Sequence, residues 1–304
     1  MLAVVAAALV APAGAFAYGW PVAPFDQQHA IRGAFDDPRF GLGPGRVPES
    51  SFHFGVDIVA PDGTPVYAVA PGTVFRYPDA VAVRQADGRE FSYWHIDAAV
   101  AEHSFAEKGE LLGYVRAGWG HVHFAESLRG TYLNPLRPGA LEPYSDWTTP
   151  VVGAIDVRGA GGSALRPEDV HGSIDVTVDA WDVPPLAPAP PWQNSRWTPA
   201  LVRWRLVKDG AETPWRTAAD FRNTRPGSSE FGEIFAPGTT QNRPFEAGRY
   251  IFWLARGLDT TTLANGEYRL EVAAADTRGN VGTGSLALDV QNAQSAKTTY
   301  RPSR

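Results

Sequence analysis

The apolar residues of this chain come in short runs, and this pattern restricts its fold more than any other feature of the sequence. Between residues 18 and 142 the runs are broken repeatedly by Gly and Pro. No stretch shows the sustained 3.6-residue periodicity of an amphipathic helix. We therefore predict an all-β domain over residues 18–142. Its predicted strands are residues 66–69, 73–75, 81–83, 91–95, 111–115 and 121–125.

A second pattern begins after a connection rich in Pro and Gly at residues 136–150. Apolar and polar residues then alternate, as they do in strands with one buried and one wet face. We predict that residues 143–290 form an immunoglobulin-like β-sandwich accessory domain, interrupted by loops at 184–197 and 214–249. The alternating segments are residues 174–180, 202–206, 268–274 and 286–290.

The two ends of the chain differ from the rest. Residues 1–17 are apolar and end in Ala-Phe-Ala, a pattern typical of a cleaved signal peptide. The run is short for a membrane span, which needs about 20 residues, so no stable span is expected after cleavage. An uncleaved anchor and a buried N-terminal segment stay alternatives. The sequence departs from the usual signal-peptide pattern in one respect, since no basic residue precedes Arg32. We predict a secreted, periplasmic or cell-envelope protein, with a disordered tail at residues 291–304.

Composition excludes several classes of function. The net charge is −6 and no long basic run occurs, which argues against nucleic acid as a partner. The chain has no cysteine, so disulfides, thiolate zinc sites and a cysteine nucleophile are all excluded. Any metal site here must therefore use histidine and carboxylate ligands.

Four of the seven histidines lie in three short motifs. HFGVD begins at His53, YWH ends at His95, and HVH runs from His121 to His123. Residues two apart in a strand face the same side, so the HVH motif would present both imidazoles on one wet face. Taken alone, this motif fits two surface histidines at least as well as a metal site.

The first motif needs a bend before it can serve a metal. His53 and Asp57 would lie about 13 Å apart along a straight strand, too far to share one ion. Gly55 permits unusual backbone angles and is the expected position of that bend. Catalytic zinc sites use three protein ligands and a water. His53, Asp57 and one of His121 or His123 would make such a set, while the alternative is a solvated His and Asp beside a strand.

The order of these motifs resembles that of the lysostaphin/LytM-type zinc endopeptidases, over about residues 29–136. The matching segments are HFGVD at 53–57, GTPV at 63–66, PGTV at 71–74, YWH at 93–95, KGELLG at 108–113, HVHF at 121–124 and NP at 134–135. Residues 114–120 are shorter than the corresponding stretch of that family. Because this stretch lines the groove there, substrate preference does not follow from the resemblance.

The resemblance implies a role for each motif residue. His53, Asp57 and His123 match the ligands of one zinc ion per chain, His121 matches the catalytic histidine, and His95 matches its partner. The family has a β-sheet fold of the LytM or duplicated hybrid type with an open groove, and it cleaves stem or cross-bridge peptides of peptidoglycan. Hydrolysis would proceed through a zinc-bound water, with either His121 or His95 as the principal base.

Two other functions stay open. The same fold could act as a non-catalytic module that binds peptidoglycan or activates another hydrolase. Alternatively, the aromatic-rich second domain could bind a cell-surface polymer, as an adhesin or carbohydrate binder does. Residues 276–280 carry Asp and Asn at spacings that could suit calcium, but we interpret them as a simple turn.

Overall fold

A computed structural model describes residues 17–42, 48–159 and 161–292 of the chain. The predicted signal peptide, apart from its last residue, and residues 293–304 of the predicted tail lie outside the described residues. The chain divides into two compact units. Unit one comprises residues 1–30 and 55–145, and unit two comprises residues 31–54 and 146–304. Among the described residues, no helix combines the length and apolar character needed to span a bilayer.

Strands dominate both units, which confirms the predicted all-β fold class. Helix is limited, in the described ranges, to α1 (Phe231–Ile234) and short 3-10 turns at Ser228–Glu230 and Thr260–Thr262. In chain order, strands β1 to β21 are Ile31–Gly33, Pro38–Leu42, Pro48–Phe52, Val56–Val59, Pro65–Tyr67, Gly72–Tyr77, Ala80–Arg84, Arg89–Trp94, Ile96–Ala98, Phe105–Ala106, Leu111–Val115, His121–Leu128, Thr131–Leu133, Val151–Gly159, Ser173–Trp181, Leu201–Lys208, Ala211–Glu212, Arg216–Asp220, Ile251–Asp259, Gly266–Ala275 and Val281–Val290.

Unit one is built around strand β12, which carries the HVH motif. Its larger antiparallel sheet has the order β4-β12-β8-β7-β6-β10, with β13 also paired to β12. A smaller antiparallel sheet has the order β5-β11-β9. Because β12 is flanked by β4 and β8, the strands that carry or adjoin the three histidine motifs are immediate neighbours.

In unit two, β2 and β3 form an antiparallel pair, and two larger antiparallel sheets share one core. One has the order β14-β15-β19, and the other has the order β17-β16-β20-β21 with β18 also paired to β16. Both sheets contribute their buried alternate positions to a single hydrophobic cluster, as the period-two pattern predicts. Representative members are Val176, Val178, Val202, Trp204, Phe252, Leu270 and Val272. The immunoglobulin-like identity of this unit stays a prediction.

One expectation about unit two is wrong. The predicted loop at 214–249 contains strand β18 and helix α1. β18 was missed because its sequence lacks apolar alternation. Its backbone pairs with β16, but most of its side chains lie outside the core. Helix α1 lasts one turn, too short for a periodic pattern, yet it buries Phe231 and Ile234 against the core.

Candidate metal centre

Strand β12 places the two histidines of the HVH motif beside β4. Cross-strand pairing sets His121 opposite Val59 and His123 opposite Asp57. The intervening Val122 is fully buried in the core, so the two imidazoles share the other face of the sheet. This register brings the HVH motif directly against the carboxylate of Asp57.

The expected wet face for these imidazoles is wrong, because both are buried. His121 is 2% exposed and His123 is 4% exposed. Other aromatic rings cover them: the ring centroids of His95 and His121 are 4.9 Å apart, and those of Trp94 and His123 are 6.4 Å apart. The sheet face carrying the HVH motif is therefore a buried polar pocket floor.

The predicted bend at Gly55 is present between strands β3 and β4. Its physical reason differs from the expected one, since φ of Gly55 does not lie in the left-handed region. A Cβ atom at this position would lie 2.2 Å from the carbonyl oxygen of Phe124 and 2.9 Å from Nε2 of His123. Glycine is required because the backbone of β12 passes so close.

His53, Asp57 and His123 form one buried group whose candidate ligand atoms all lie within 4.8 Å of one another. Nδ1 of His123 is 3.1 Å from Oδ1 of Asp57. Nδ1 of His53 is 2.7 Å from the carbonyl oxygen of Ala34, which can only accept a hydrogen bond. Nδ1 of His53 therefore carries the proton, and Nε2 is the atom of that ring able to bind a metal.

The segment before His53 is anchored by a buried carboxylate. The backbone N–H of His53 donates to the carbonyl oxygen of Asp37 at 2.9 Å. The Asp37 carboxylate accepts hydrogen bonds from the backbone N–H of Ala34 and of Thr198, each at 2.8 Å. Burial raises the pKa of Asp37 to about 6, and the charge of Arg39 opposes this shift. These contacts hold the carbonyl that orients the imidazole.

His121 lies beside the ligand group and not within it. Its Nε2 is 3.5 Å from Oδ1 of Asp57. Its Nδ1 lies 2.8 Å from the carbonyl oxygen of Trp119 and must be the protonated nitrogen there, because a carbonyl only accepts. Nε2 is thus left as the basic nitrogen and points toward the ligand group, where it can accept a proton.

His95 reaches the same pocket from the end of strand β8. Its φ is 66°, and its backbone is held by a hydrogen bond to the carbonyl of Asp79 at 2.7 Å and one from the N–H of Arg116 at 2.9 Å. The indole of Trp119 stacks on its imidazole with a centroid separation of 3.6 Å and an interplanar angle of 6°. Sequence reasoning missed Trp119, although it lies only two residues before His121.

The donor set fits a zinc ion. Two imidazole nitrogens and one carboxylate oxygen are the ligands that catalytic zinc sites use, with a fourth position for water. Calcium and magnesium bind oxygen ligands almost exclusively, so a set with two imidazole nitrogens favours zinc over either of them. His29, His103 and His171 lie outside the group, as the sequence predicts for histidines without a partnered motif.

A buried ion-pair network stabilises the strand that carries the HVH motif. Glu126, also on β12, is fully buried and accepts hydrogen bonds from Arg137 at 2.7 and 2.8 Å and from the Tyr18 hydroxyl at 2.7 Å. Arg89 pairs with the same carboxylate. Burial and the adjacent Glu126 raise the pKa of Tyr18 well above its ordinary value, so the hydroxyl stays a donor. Sequence analysis did not single out this network.

Residues 51–135 match the model of peptidase family M23. The DD-carboxypeptidase/endopeptidase Mpg of Neisseria meningitidis serogroup B is 35% identical to this chain over 94 residues. That match covers 28% of this chain and 22% of the relative, so the chain spans about a fifth of the length of the curated relatives it matches.

Two solved structures align with part of this chain. The catalytic domain of the M23 protein EnpA from Enterococcus faecalis is 26% identical with a TM-score of 0.31, covering 42% of this chain and 100% of that one. The catalytic domain of lysostaphin from Staphylococcus simulans is 19% identical with a TM-score of 0.30, covering 36% and 90%. At these TM-scores the structural likeness adds no support to the family match.

Proposed function

We propose that this protein is an exported zinc-dependent endopeptidase that hydrolyses peptide bonds in the stem or cross-bridge of peptidoglycan. The observation that carries the proposal is the buried His53, Asp57 and His123 group, whose ligand atoms lie within 4.8 Å of one another. The family match over residues 51–135 includes all three of these residues and supports a peptidase. A secreted or periplasmic location is part of the proposal, because that polymer lies outside the cytoplasm.

The proposal gives each residue of the pocket a task. Zinc, when bound, polarises a carbonyl and lowers the pKa of water to about 7. Nε2 of His121 takes the proton of the attacking water and returns it to the leaving amine. His95 donates a hydrogen bond to the developing oxyanion, and Trp119 fixes the plane of its ring. The Ala34 carbonyl holds His53 in the tautomer that leaves Nε2 for the metal.

Metal analysis of the purified full chain is the first test. We expect one zinc per chain, and a loss of most of it in Asp57→Asn, because a neutral amide replaces the one anionic ligand. His171→Ala is the matched control, since His171 is exposed and lies outside the group. Absence of zinc from the wild-type chain after refolding with the metal would end the proposal.

Catalysis is separated from simple binding by His121→Ala. This variant keeps all three predicted ligands, so we expect it to retain zinc while losing the release of soluble fragments from purified sacculi. Retained sacculus binding with no fragment release by the wild type would favour the non-catalytic alternative. Mass spectrometry of defined muropeptide digests would then identify the cleaved bond.

A further inference from the structure

The turn that follows strand β4 is joined to the loop that leads into the HVH strand. Asp62 lies in this turn, between β4 and β5, and is exposed. Its Oδ2 accepts a hydrogen bond from the N–H of Gly118 at 2.7 Å, and its Oδ1 accepts one from the N–H of Gly120 at 2.9 Å. One carboxylate therefore bridges two positions of the loop at residues 116–120, which connects β11 to β12.

The conformation of this loop creates a need for an acceptor. Gly118 and Gly120 have φ angles of 88° and 61°, which lie in the left-handed region. Backbone N–H groups around such residues turn toward one point and form a concavity that binds an anion. They hold the pKa of the Asp62 carboxyl below its ordinary value, with the N–H of Gly118 making the largest contribution. The side chain therefore stays charged at neutral pH and serves as the anion that this loop requires.

The same loop carries two contacts to the candidate catalytic histidines. Trp119 lies between the two glycines that Asp62 holds. Its indole stacks on the imidazole of His95 with a centroid separation of 3.6 Å. Its carbonyl oxygen lies 2.8 Å from Nδ1 of His121. One residue of the loop thus fixes the ring plane of one histidine and the tautomer of the other.

The other end of the loop has an anchor of its own. The guanidinium group of Arg116 donates to Oδ1 of Asp97 and to the carbonyl oxygen of Pro78, each at 2.9 Å. Neither contact involves Asp62. Loss of the Asp62 carboxylate should therefore loosen residues 118–120 while the start of the loop stays in place.

We propose that Asp62 is a positioning residue for the two catalytic histidines and acts on both through Trp119. Removing its carboxylate would deprive two backbone N–H groups of their acceptor and release two glycines, whose backbones are intrinsically flexible. A displacement of about 1 Å in a catalytic group can lower a rate by up to about a hundredfold. The catalytic consequence rests on the proposed peptidase function, whereas the control of Trp119 by Asp62 is a geometric claim that needs no turnover.

Kinetics of Asp62→Ala in the full zinc-loaded chain test the catalytic consequence. We expect kcat on a cell-wall peptide to fall about tenfold while KM changes less than about threefold, because the histidines act in the transition state. Asp62→Asn should lose less, since its one amide oxygen can still accept one of the two hydrogen bonds. Zinc content should stay at that of the wild type in both variants.

Asp87→Ala is the matched control for these kinetics. Asp87 is also an exposed aspartate of unit one that accepts a backbone hydrogen bond, from the N–H of Arg89 at 2.9 Å, but it lies in the turn between β7 and β8. Its kcat should equal that of the wild type.

Tryptophan fluorescence tests the geometric claim separately. Subtracting the emission of Trp119→Phe from that of the wild type isolates the signal of Trp119 among the ten tryptophans. The same subtraction in the Asp62→Ala background should give a red-shifted signal that acrylamide quenches more strongly, because the indole, 39% exposed in the stacked state, leaves the stack. In the Asp87→Ala background the signal should match that of the wild type.

The two readouts separate the possible outcomes. An unchanged Trp119 signal in Asp62→Ala would overturn the proposal whatever the activity, and so would a wild-type kcat in a variant whose Trp119 signal has changed. Loss of zinc from both Asp62 variants would show a general structural role and would overturn it as well. If the wild type turns over no peptide, the peptidase function fails, and the Trp119 signal alone decides whether Asp62 holds the loop.

Discussion

Glu126→Gln tests how much the buried ion-pair network stabilises unit one. The substitution preserves the shape of the side chain and removes the only negative charge that faces Arg89 and Arg137 in the network. Glu126 is fully buried, while the side chains of the two arginines are 16% and 20% exposed. Both guanidinium groups would remain largely desolvated without a full counter-charge.

The expected cost follows from these exposures. Breaking a buried ion pair from one side costs about 3–5 kcal/mol. Because both arginines keep some contact with water, we expect a value near the lower limit, about 3 kcal/mol. For a unit of this size, that change corresponds to a Tm decrease of about 6–12 °C. The strand that loses its anchor, β12, also carries the HVH motif, so zinc content should fall as well.

Thermal unfolding monitored by circular dichroism measures the effect, with Glu90→Gln as the matched control. Glu90 pairs with Arg84 at 2.6 Å on the same sheet, but the Glu90 side chain is 22% exposed and that of Arg84 is 45% exposed, whereas Glu126 is fully buried. An exposed pair contributes less than about 1 kcal/mol, so the control should change Tm little. Equal Tm values for the two variants would refute the argument that burial sets the strength of the Glu126 network.

Three further predictions concern single side chains. Gly55→Ala places a methyl group on a backbone carbonyl, so we expect zinc loss by metal analysis and a Tm lower by roughly 5 °C or more. Gly41→Ala, with open space around the added methyl, should change neither. Trp119→Ala removes the ring stacked on His95, and kcat/KM on a cell-wall peptide should fall about two- to tenfold; an unchanged value would contradict a positioning role. Burial, followed by the charge of Asp146, raises the pKa of Asp182 from 3.8 to about 8, so the folded state holds a proton that the unfolded chain releases. The free energy of unfolding should therefore fall by up to about 1.4 kcal/mol per pH unit between about pH 4 and 8. Urea unfolding should show this slope in the wild type, and its persistence in Asp182→Asn would contradict the assignment.

Two of the three strands that hold the candidate site could be predicted because their signals are local. Apolar runs mark β8 and β12, and the HVH spacing puts two imidazoles on one face, whereas β4, which carries Asp57, was not among the predicted strands. The bend at Gly55 follows from the distance that His53 and Asp57 must close. Its cause, the close approach of the Phe124 carbonyl, could not be predicted, because it depends on the pairing of two strands.

What the sequence could not indicate depends on contacts between distant residues. The partners of Glu126 lie 108, 37 and 11 residues away, and no periodic pattern links them. Asp146, Asp182 and Asp276, whose carboxylates converge in unit two, show the same difficulty, since only the turn beginning at Asp276 has a local signal. The burial of His121 and His123 was also missed, because the rings that cover them come from other segments.

The division of the chain into units has a consequence for how it can be cut. The backbone passes from one unit to the other three times, at residues 30/31, 54/55 and 145/146. Phe52 belongs to the short 31–54 segment of unit two and packs in the core of that unit. Its ring centroid lies 5.2–6.0 Å from those of Phe221, Phe231 and Phe235. A fragment starting at residue 146 would lack this side chain and expose an aromatic cleft to solvent. Unit two therefore cannot be expressed intact as the C-terminal segment alone. A truncated or recombined protein that is meant to contain unit two must include residues 31–54 as well as the segment from residue 146.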